Sequence, residues 1–273
     1  MTGRRLHLAK IPDDVPGYFD SRAARYDTAY DREDADGHAL RSRFDGVVRL
    51  VGRGPGELLD AGMGPGRLCA ELDSLGWTVS GIDAAEEMVR MAQAQMPGAR
   101  ERLRQASIEQ LPFSDRSFDV VTATGVLEYV DVERALSEIA RVLRPDGRAV
   151  VSYPNPQALY GLWKTRVWYP AARSTKRVLR RPDPQMPHGA GELPPQRFHR
   201  ALTHAGLIPR SRLHTSYLPL LTPLDLLLPV TSARVGRRLE GGGEFRGRLF
   251  ATQIVYEAQK AETPASGEGE EGR

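Results

Sequence analysis

Three glycines in five positions, Gly62, Gly64 and Gly66 of "LLDAGMGPGRL", close a mostly apolar run. Glycine at this density disfavours helix and strand, so the backbone here either adopts conformations closed to other residues or lies close to something bulky. An apolar segment precedes the turn and the helix-like "GRLCAELDSLG" follows it. A Gly-rich turn between a strand and a helix presents backbone N–H groups to a ligand at the carboxyl end of a parallel sheet. Taken alone, the segment is equally readable as a tight structural turn.

The flanking pattern says which sheet this is. "GELLDAG" reads as a short buried strand, and Gly76 closes the helix after the turn. "TVSGID" is a second strand, and "AAEEMVRMAQAQM" is a helix ended by Pro97 and Gly98. "RERLRQAS", "SFDVVTATG" and "RAVVSYP" supply three more strands, with the amphipathic "VERALSEIARVLRPDG" as helix and stop before the last. This alternation predicts an α/β protein whose mostly parallel sheet has helices on both faces. Residues 1–50 read as an N-terminal helical cover, with Phe19, Ala23 and Tyr26, then Leu40, Phe44, Val47 and Leu50, at helix spacing. Residues 51–155 form the α/β core, and 156–193, rich in Pro, Arg and aromatics, an insertion expected to act as a lid. Residues 194–260 complete the core with the helix "PPQRFHRALTHAGL" and the strands "PRSRLHTSYL" and "RLFATQIVYEAQ". Between those strands, "LPLLTPLDLLLPV" reads as loop and helix, and the Gly/Glu/Ser-rich tail 261–273 is expected to be disordered.

Bulk properties narrow the classes. With 273 residues and 40% hydrophobic content the chain can build a real core. It shows no signal-peptide stretch and no run of about 18 apolar residues, so the cytoplasm is the expected location. The single cysteine, Cys69, excludes an internal disulfide and a thiolate metal site. Of 38 cations 34 are Arg, yet the net charge is only +3, which does not point to nucleic acid.

Two ligand classes suit the glycine turn. A dinucleotide fingerprint needs Gly-x-Gly-x-x-Gly, whereas the spacing here is Gly-x-Gly-x-Gly and Arg67 holds the third-glycine position. No Gly-Lys-Ser/Thr is present, which excludes a P-loop. Asp83 ends the second strand, where a carboxylate can accept both hydroxyls of a ribose or can cap the following helix.

In order and spacing, "LLDAGMGPGRL", "GIDAAEEMV", "IEQLPFSDRSFDVV", "GVLEYV" and "EIARVLRPDGRAVVSYPN" resemble the motifs of class I S-adenosylmethionine-dependent methyltransferases. The likeness is to the small-molecule, ubiquinone/menaquinone-methyltransferase-like branch and covers roughly residues 54–155. It implies a Rossmann-like seven-stranded sheet with the last strand antiparallel, and S-adenosylmethionine as cofactor. It assigns Asp60, Gly62, Gly64 and Gly66 to the methionine half of that cofactor and Asp83, with Ala84, to the ribose. Ser107, Ile108 and Glu109 fall in the adenine environment, with Thr124 beside the cofactor and Tyr18, Phe19 and Tyr26 closing over it. The family often has an Asp where this chain has Ser107, so adenine recognition would rest on backbone near Ile108 and apolar packing. Asp119 is expected to be structural.

Methyl transfer from a sulfonium is an in-line displacement, for which orientation alone is worth roughly 7–11 kcal/mol. A hydroxyl nucleophile gains from a base, and the candidates are His188, Glu128 and Tyr129. His199 and His204 flank a helix and His214 sits on a strand, so exposed and structural roles are expected for them. The place of an Asn/Asp-Pro-Pro-aromatic segment after strand four is taken by "TATGVLEYV", which speaks against base methylation in nucleic acid. The insertion carries seven cations from Lys164 to Arg181, interleaved with Trp168 and Tyr169 and preceded by Tyr160 and Trp163. Such a segment suits an anionic group on an apolar body, a membrane surface or RNA, or is a solvated helix face. The expected acceptor is a small hydrophobic molecule, natural product or lipid-like, methylated on oxygen, with N- or C-methylation, an RNA-associated factor or a non-catalytic cofactor-binding subunit as alternatives.

Overall fold

Leu58 and Leu59 are both fully buried, yet they belong to different hydrophobic clusters, because consecutive strand residues point to opposite faces. Double burial of this kind requires a central strand covered on both sides. The computed structural model describes residues 14–168, 170–171, 193–221 and 223–261. In it β1 (Glu57–Ala61) lies between β2 (Thr78–Asp83) and β4 (Phe118–Ala123), parallel to both. Outside β2 stands β3 (Leu103–Gln105); on the other side follow β5 (Leu143–Pro154), β7 (Ala251–Lys260) and β6 (Leu207–Tyr217), giving the order β3-β2-β1-β4-β5-β7-β6. β7 is antiparallel to both neighbours, so six strands point one way and the last runs against them.

One face is covered by α3 (Ala35–Val51), α4 (Arg67–Ser74) and α5 (Glu86–Gln95), which bury Val47, Leu68, Leu72 and Val89 with Leu58, Val79, Val120 and Val150. The other carries α6 (Val132–Val142) and α8 (Pro195–His204) over Leu59, Val121, Ala149 and Val151. In α6 the buried Val132, Ala135, Leu136, Ile139 and Ala140 follow helix spacing, and the Asp131 carboxylate accepts from the N–H of Glu133 (3.0 Å) and Arg134 (3.1 Å) at its start. The helix stops at Val142: Leu143 already pairs with Phe118, and "RPDG" is a bulge in β5 with Asp146 at φ 63°, not a helix stop.

Two short helices, α1 (Val15–Asp20) and α2 (Ala23–Ala29), pack Phe19, Ala23 and Tyr26 onto Ala85 and Met88. Polar clamps hold them there. The Asp20 carboxylate accepts from Glu87 N–H at 2.8 Å, in the first turn of α5. Arg67 binds Asp27 through Nε at 2.5 Å and Asp31 through both Nη atoms at 2.9 and 3.0 Å. Asp119 is structural as expected, accepting from Glu57 N–H at 2.8 Å and pairing with Arg144 at 2.7 Å.

The segment between β6 and β7 departs most from expectation. It holds α9 (Leu224–Leu227), α10 (Pro229–Leu239) and α11 (Gly243–Phe250), so "RLF" ends a helix and the strand starts only at Ala251. α10 buries Ser232, Ala233 and Gly236 rather than an apolar stripe; a Cβ on Gly236 would lie 2.7 Å from His38 Nε2 on α3. Of the insertion, α7 (Leu159–Trp163) continues as a π-helical turn over Lys164–Trp168. His188 and the cations from Arg173 to Arg181 lie outside the described residues. Among the described residues no helix is long and apolar enough to cross a membrane.

Gly66 has φ 90° at the start of α4, and a Cβ there would stand 2.8 Å from Ala92 Cβ on α5. Gly66→Ala is expected to lower stability by about 1–3 kcal/mol through backbone strain and overpacking, read by urea unfolding. An unchanged unfolding midpoint would remove this packing role.

Candidate active site

The glycine turn is held by main-chain bonds from the neighbouring strand. Gly62 and Met63 N–H both donate to Ile82 C=O, at 2.8 and 2.9 Å. Gly62 has φ 87°, and its missing Cβ would sit 2.8 Å from Val126, so only glycine lets the turn pass under the loop after β4. Gly66 is spent on α5 packing instead. At Gly64 an added Cβ would meet only Tyr26, at 3.9 Å, which leaves this part of the turn close to the N-terminal cover.

Asp83 joins turn, strand and helix. Its Oδ2 accepts from Gly64 N–H at 2.8 Å and its Oδ1 from Ala85 N–H at 2.9 Å. The helix-capping role and the ligand-facing position thus coexist, since each carboxylate oxygen keeps a second lone-pair direction. Burial raises the Asp83 pKa, and the Ala85 and Gly64 N–H groups work against that rise.

Above this frame lies a cleft. Ile82, Met88, Ala106 and Ile108 give it an apolar slot beside Asp83, Ala84 and Ser107; Val15, Pro16, Phe19 and Tyr26 roof it; Thr124, Gly125, Val126, Tyr129 and Val130 close the far end. Several expected residues lie off it. Tyr18 packs edge-on against Phe19 with Arg22 over its ring. Glu109 turns its carboxylate away to accept from Asp131 N–H at 2.5 Å. Gly66 faces Ala92, and Glu128 is buried behind the wall. Asp60 lines a smaller adjoining cleft with Tyr26, Gly62, Gly64 and Thr124. His199 and His204 are exposed on α8, and His214 packs against Gly247.

Sequence reasoning missed Arg43. It lies on α3, 8% exposed, with its guanidinium 3.0 Å from where a Gly125 Cβ would be and 3.4 Å from Tyr26 Oη. Burial disfavours its charge, but Tyr26, Tyr30, Glu128 and Tyr129 together hold its pKa above the usual range. Arg43 Nε, Glu128 Oε2 and Thr124 Oγ1 are all buried without a hydrogen-bond partner. An arginine between Ser42 and Phe44 of an amphipathic helix carries no motif; only the fold shows it turned inward.

An open α/β sheet with a bare turn after β1, an acidic tip on β2 and an apolar slot beside β3 defines a nucleoside-binding enzyme of the methyltransferase architecture. The comparisons agree. The methyltransferase domain model matches residues 59–151. The chain is 35% identical to a demethylmenaquinone methyltransferase of Beutenbergia cavernae, over 62% of this chain and 72% of the relative. It is 37% identical to that of Thermus thermophilus over 53% and 68%. A ubiquinone/menaquinone biosynthesis C-methyltransferase of Shewanella halifaxensis is 30% identical over 56% and 64%. The fold matches a chain of the complex between the Haloferax volcanii Trm112 methyltransferase activator and a methyltransferase, with TM-score 0.63 and 21% identity over 92% and 99% of the chains. The protein belongs to the class I S-adenosylmethionine-dependent methyltransferases; it is an enzyme with S-adenosylmethionine as its methyl donor.

The residues present fit that donor: a carboxylate at a strand tip for hydroxyls, an apolar slot for a flat base, and the unpaired Thr124 hydroxyl on the wall, with the Arg43 cation buried next to the lining residues Gly125 and Tyr26. Asp60 accepts from Thr122 Oγ1 at 2.7 Å and Cys69 Sγ at 3.4 Å, and burial lifts its pKa to about 6 against those two bonds. The folded chain therefore holds this proton more tightly than the unfolded one. Its contribution is present below the unfolded pKa and is lost as pH rises through about 6, on the order of 3 kcal/mol. Asp60→Asn is expected to flatten that part of the stability–pH profile of the donor-free protein, measured by urea unfolding between about pH 4 and 7.5. Asp83→Ala is expected to weaken donor binding about 10- to 100-fold in calorimetry, and unchanged affinity would remove Asp83 from the ribose site.

Proposed function

We propose that the enzyme methylates a hydrophobic small molecule bearing a ring hydroxyl, at the ring carbon beside that hydroxyl. The observation that carries this reading is the far end of the cleft. Val126 and Val130, under the roof of Val15, Pro16 and Phe19, make it apolar, and Tyr129 brings a phenol to the wall, its ring edge-on to Phe19 at 5.3 Å. A flat, greasy acceptor suits such an enclosure, with its oxygen toward Tyr129.

Bound S-adenosylmethionine supplies a methyl group on a positively charged sulfur, transferred by in-line displacement. The chain's own part is to hold the donor, align the acceptor and manage one proton. Gly64, Asp83, Ala84, Ser107, Ile108 and Thr124 are assigned to the donor by their place along the cleft, and Arg43 with Tyr26 to its carboxylate. Burial raises the Tyr129 pKa, and Glu128 and Tyr26 add to the rise, so its phenol keeps its proton and donates to the acceptor oxygen. Glu128, one residue back, has an unpaired Oε2 and a carboxyl whose pKa burial raises against the pull of Arg43. From its place off the cleft it serves as a base only through a bridging water. His188, outside the described residues, stays an alternative base.

Carbon as the receiving atom is supported by the name of one relative, a C-methyltransferase, and a quinone-like acceptor by the names of two others, demethylmenaquinone methyltransferases. In the O-methylation expected from sequence the hydroxyl proton is lost for good. In C-methylation the deprotonated ring attacks through carbon as the methyl–sulfur bond breaks, and the proton of that ring carbon then leaves to restore the aromatic ring and its hydroxyl. The enzyme is to be incubated with donor carrying a ¹³C methyl and a short-chain demethylmenaquinol, and the product examined by NMR. A carbon-bound methyl is expected; an oxygen-bound one overturns the assignment of the atom, and no product despite donor binding overturns the acceptor class. Tyr129→Phe is expected to lower kcat/KM about 100-fold while donor affinity changes no more than about threefold, measured by steady-state kinetics and calorimetry.

A further inference from the structure

Two segments far apart in sequence form one rim of the molecule. α7 and its π turn leave the carboxyl end of β5, and α9 with α10 leave the carboxyl end of β6. Tyr160 Oη of α7 donates to Asp225 Oδ2 of α9 at 2.6 Å, and its ring packs with Leu218 and Leu221, so the two segments adjoin. Their outer surface carries Leu159, Val167, Leu224, Leu227, Leu228 and Val230, each 43–70% exposed. Single exposed aliphatics are ordinary, but a cluster of six on adjoining elements marks a surface that meets something apolar.

The charge on these segments is mostly positive. Residues 155–168 contain Lys164 and Arg166 and no acid. Residues 218–240 contain Arg234, Arg237 and Arg238 and two acids: Asp225, which is 5% exposed and bound to Tyr160, and the exposed Glu240 that caps the end of α10 near Arg237. The chain as a whole is nearly balanced, with 38 cations against 35 acids, so this bias is local. Arg166, Arg234, Arg237 and Arg238 are all exposed. Aliphatic side chains among cations, on an otherwise balanced protein, complement a surface that is negative outside and apolar beneath. A protein partner would need an acidic, apolar face of matching shape; a bilayer offers both properties without shape. The position agrees: β5 and β6 run parallel to β1, so the rim shares the sheet edge that holds the glycine turn and the cleft.

We propose that this rim docks the enzyme on the surface of an anionic lipid bilayer, so that a lipophilic acceptor passes from the membrane to the cleft without crossing water. The proposal rests on the acceptor class given above. The full chain is to be sedimented with vesicles of phosphatidylcholine alone and of phosphatidylcholine with about 30% phosphatidylglycerol, without donor or acceptor. Binding is expected only to the anionic vesicles, weakening as salt rises. Arg234→Gln with Arg238→Gln is expected to lower partitioning roughly 20- to 30-fold, since each cation near the surface contributes about 1 kcal/mol. Leu224→Ser with Leu227→Ser is expected to lower it by at least as much, and none of the four changes should alter donor affinity, which also shows that the variants fold. No binding, binding unchanged in either double variant, or a concentration-dependent dimer that L224S/L227S dissolves would each overturn the proposal. Turnover of a water-soluble short-chain acceptor without vesicles reports on the acceptor class alone, so the two failures are told apart.

Discussion

One carboxylate organises the site. Asp83 accepts from the glycine turn on one side and from the start of α5 on the other, and in doing so fixes β1, β2 and α5 relative to one another. Both donors are backbone amides, so the bonds hold the path of the chain rather than the choice of a side chain. Without an acceptor at this point the Gly64 N–H would turn elsewhere, and the apolar slot between Ile82, Met88 and Ile108 would lose its polar boundary. The same carboxylate that binds the frame together also lines the cleft.

The roof depends on a different kind of contact. α1 and α2 are six and seven residues long and bury few side chains, too short to stand alone. Arg67 gripping Asp27 and Asp31, and Asp20 capping α5, fasten them over the cleft. Arg67 is the residue that breaks the dinucleotide fingerprint, and here it has a positive use: where a third glycine would bring helix and strand together, this chain ties down its cover. Beneath that cover, Arg43, Glu128 and Thr124 retain unused hydrogen-bonding capacity that a polar ligand can complete.

Much of the frame was legible because its signals are local. Alternation of short apolar runs with amphipathic helices identified all seven strands and the helices α3 to α6 and α8. What failed to show were elements whose burial depends on small residues: α10 packs Ser232, Ala233 and Gly236, and no periodic apolar stripe announces it. The boundary at Val142 was misread because a Pro-Asp-Gly sequence marks a bulge as readily as a helix stop. Within the site, Asp83 and the glycine positions stood out by residue type, whereas Glu109 and Tyr18 were placed by adjacency to the motif and turn out to spend their side chains elsewhere.

By itself, the sequence determined the sheet, the bare turn and the acidic strand tip, since each follows from the conformational limits and periodicity of neighbouring residues. Only the tertiary structure decided that Gly66 serves helix packing, that Arg43 points inward beside Glu128 and Tyr129, and that leucines from two distant segments share one cationic rim. Those facts depend on contacts between residues tens of positions apart, and no local pattern encodes which faces the folded sheet will bring together.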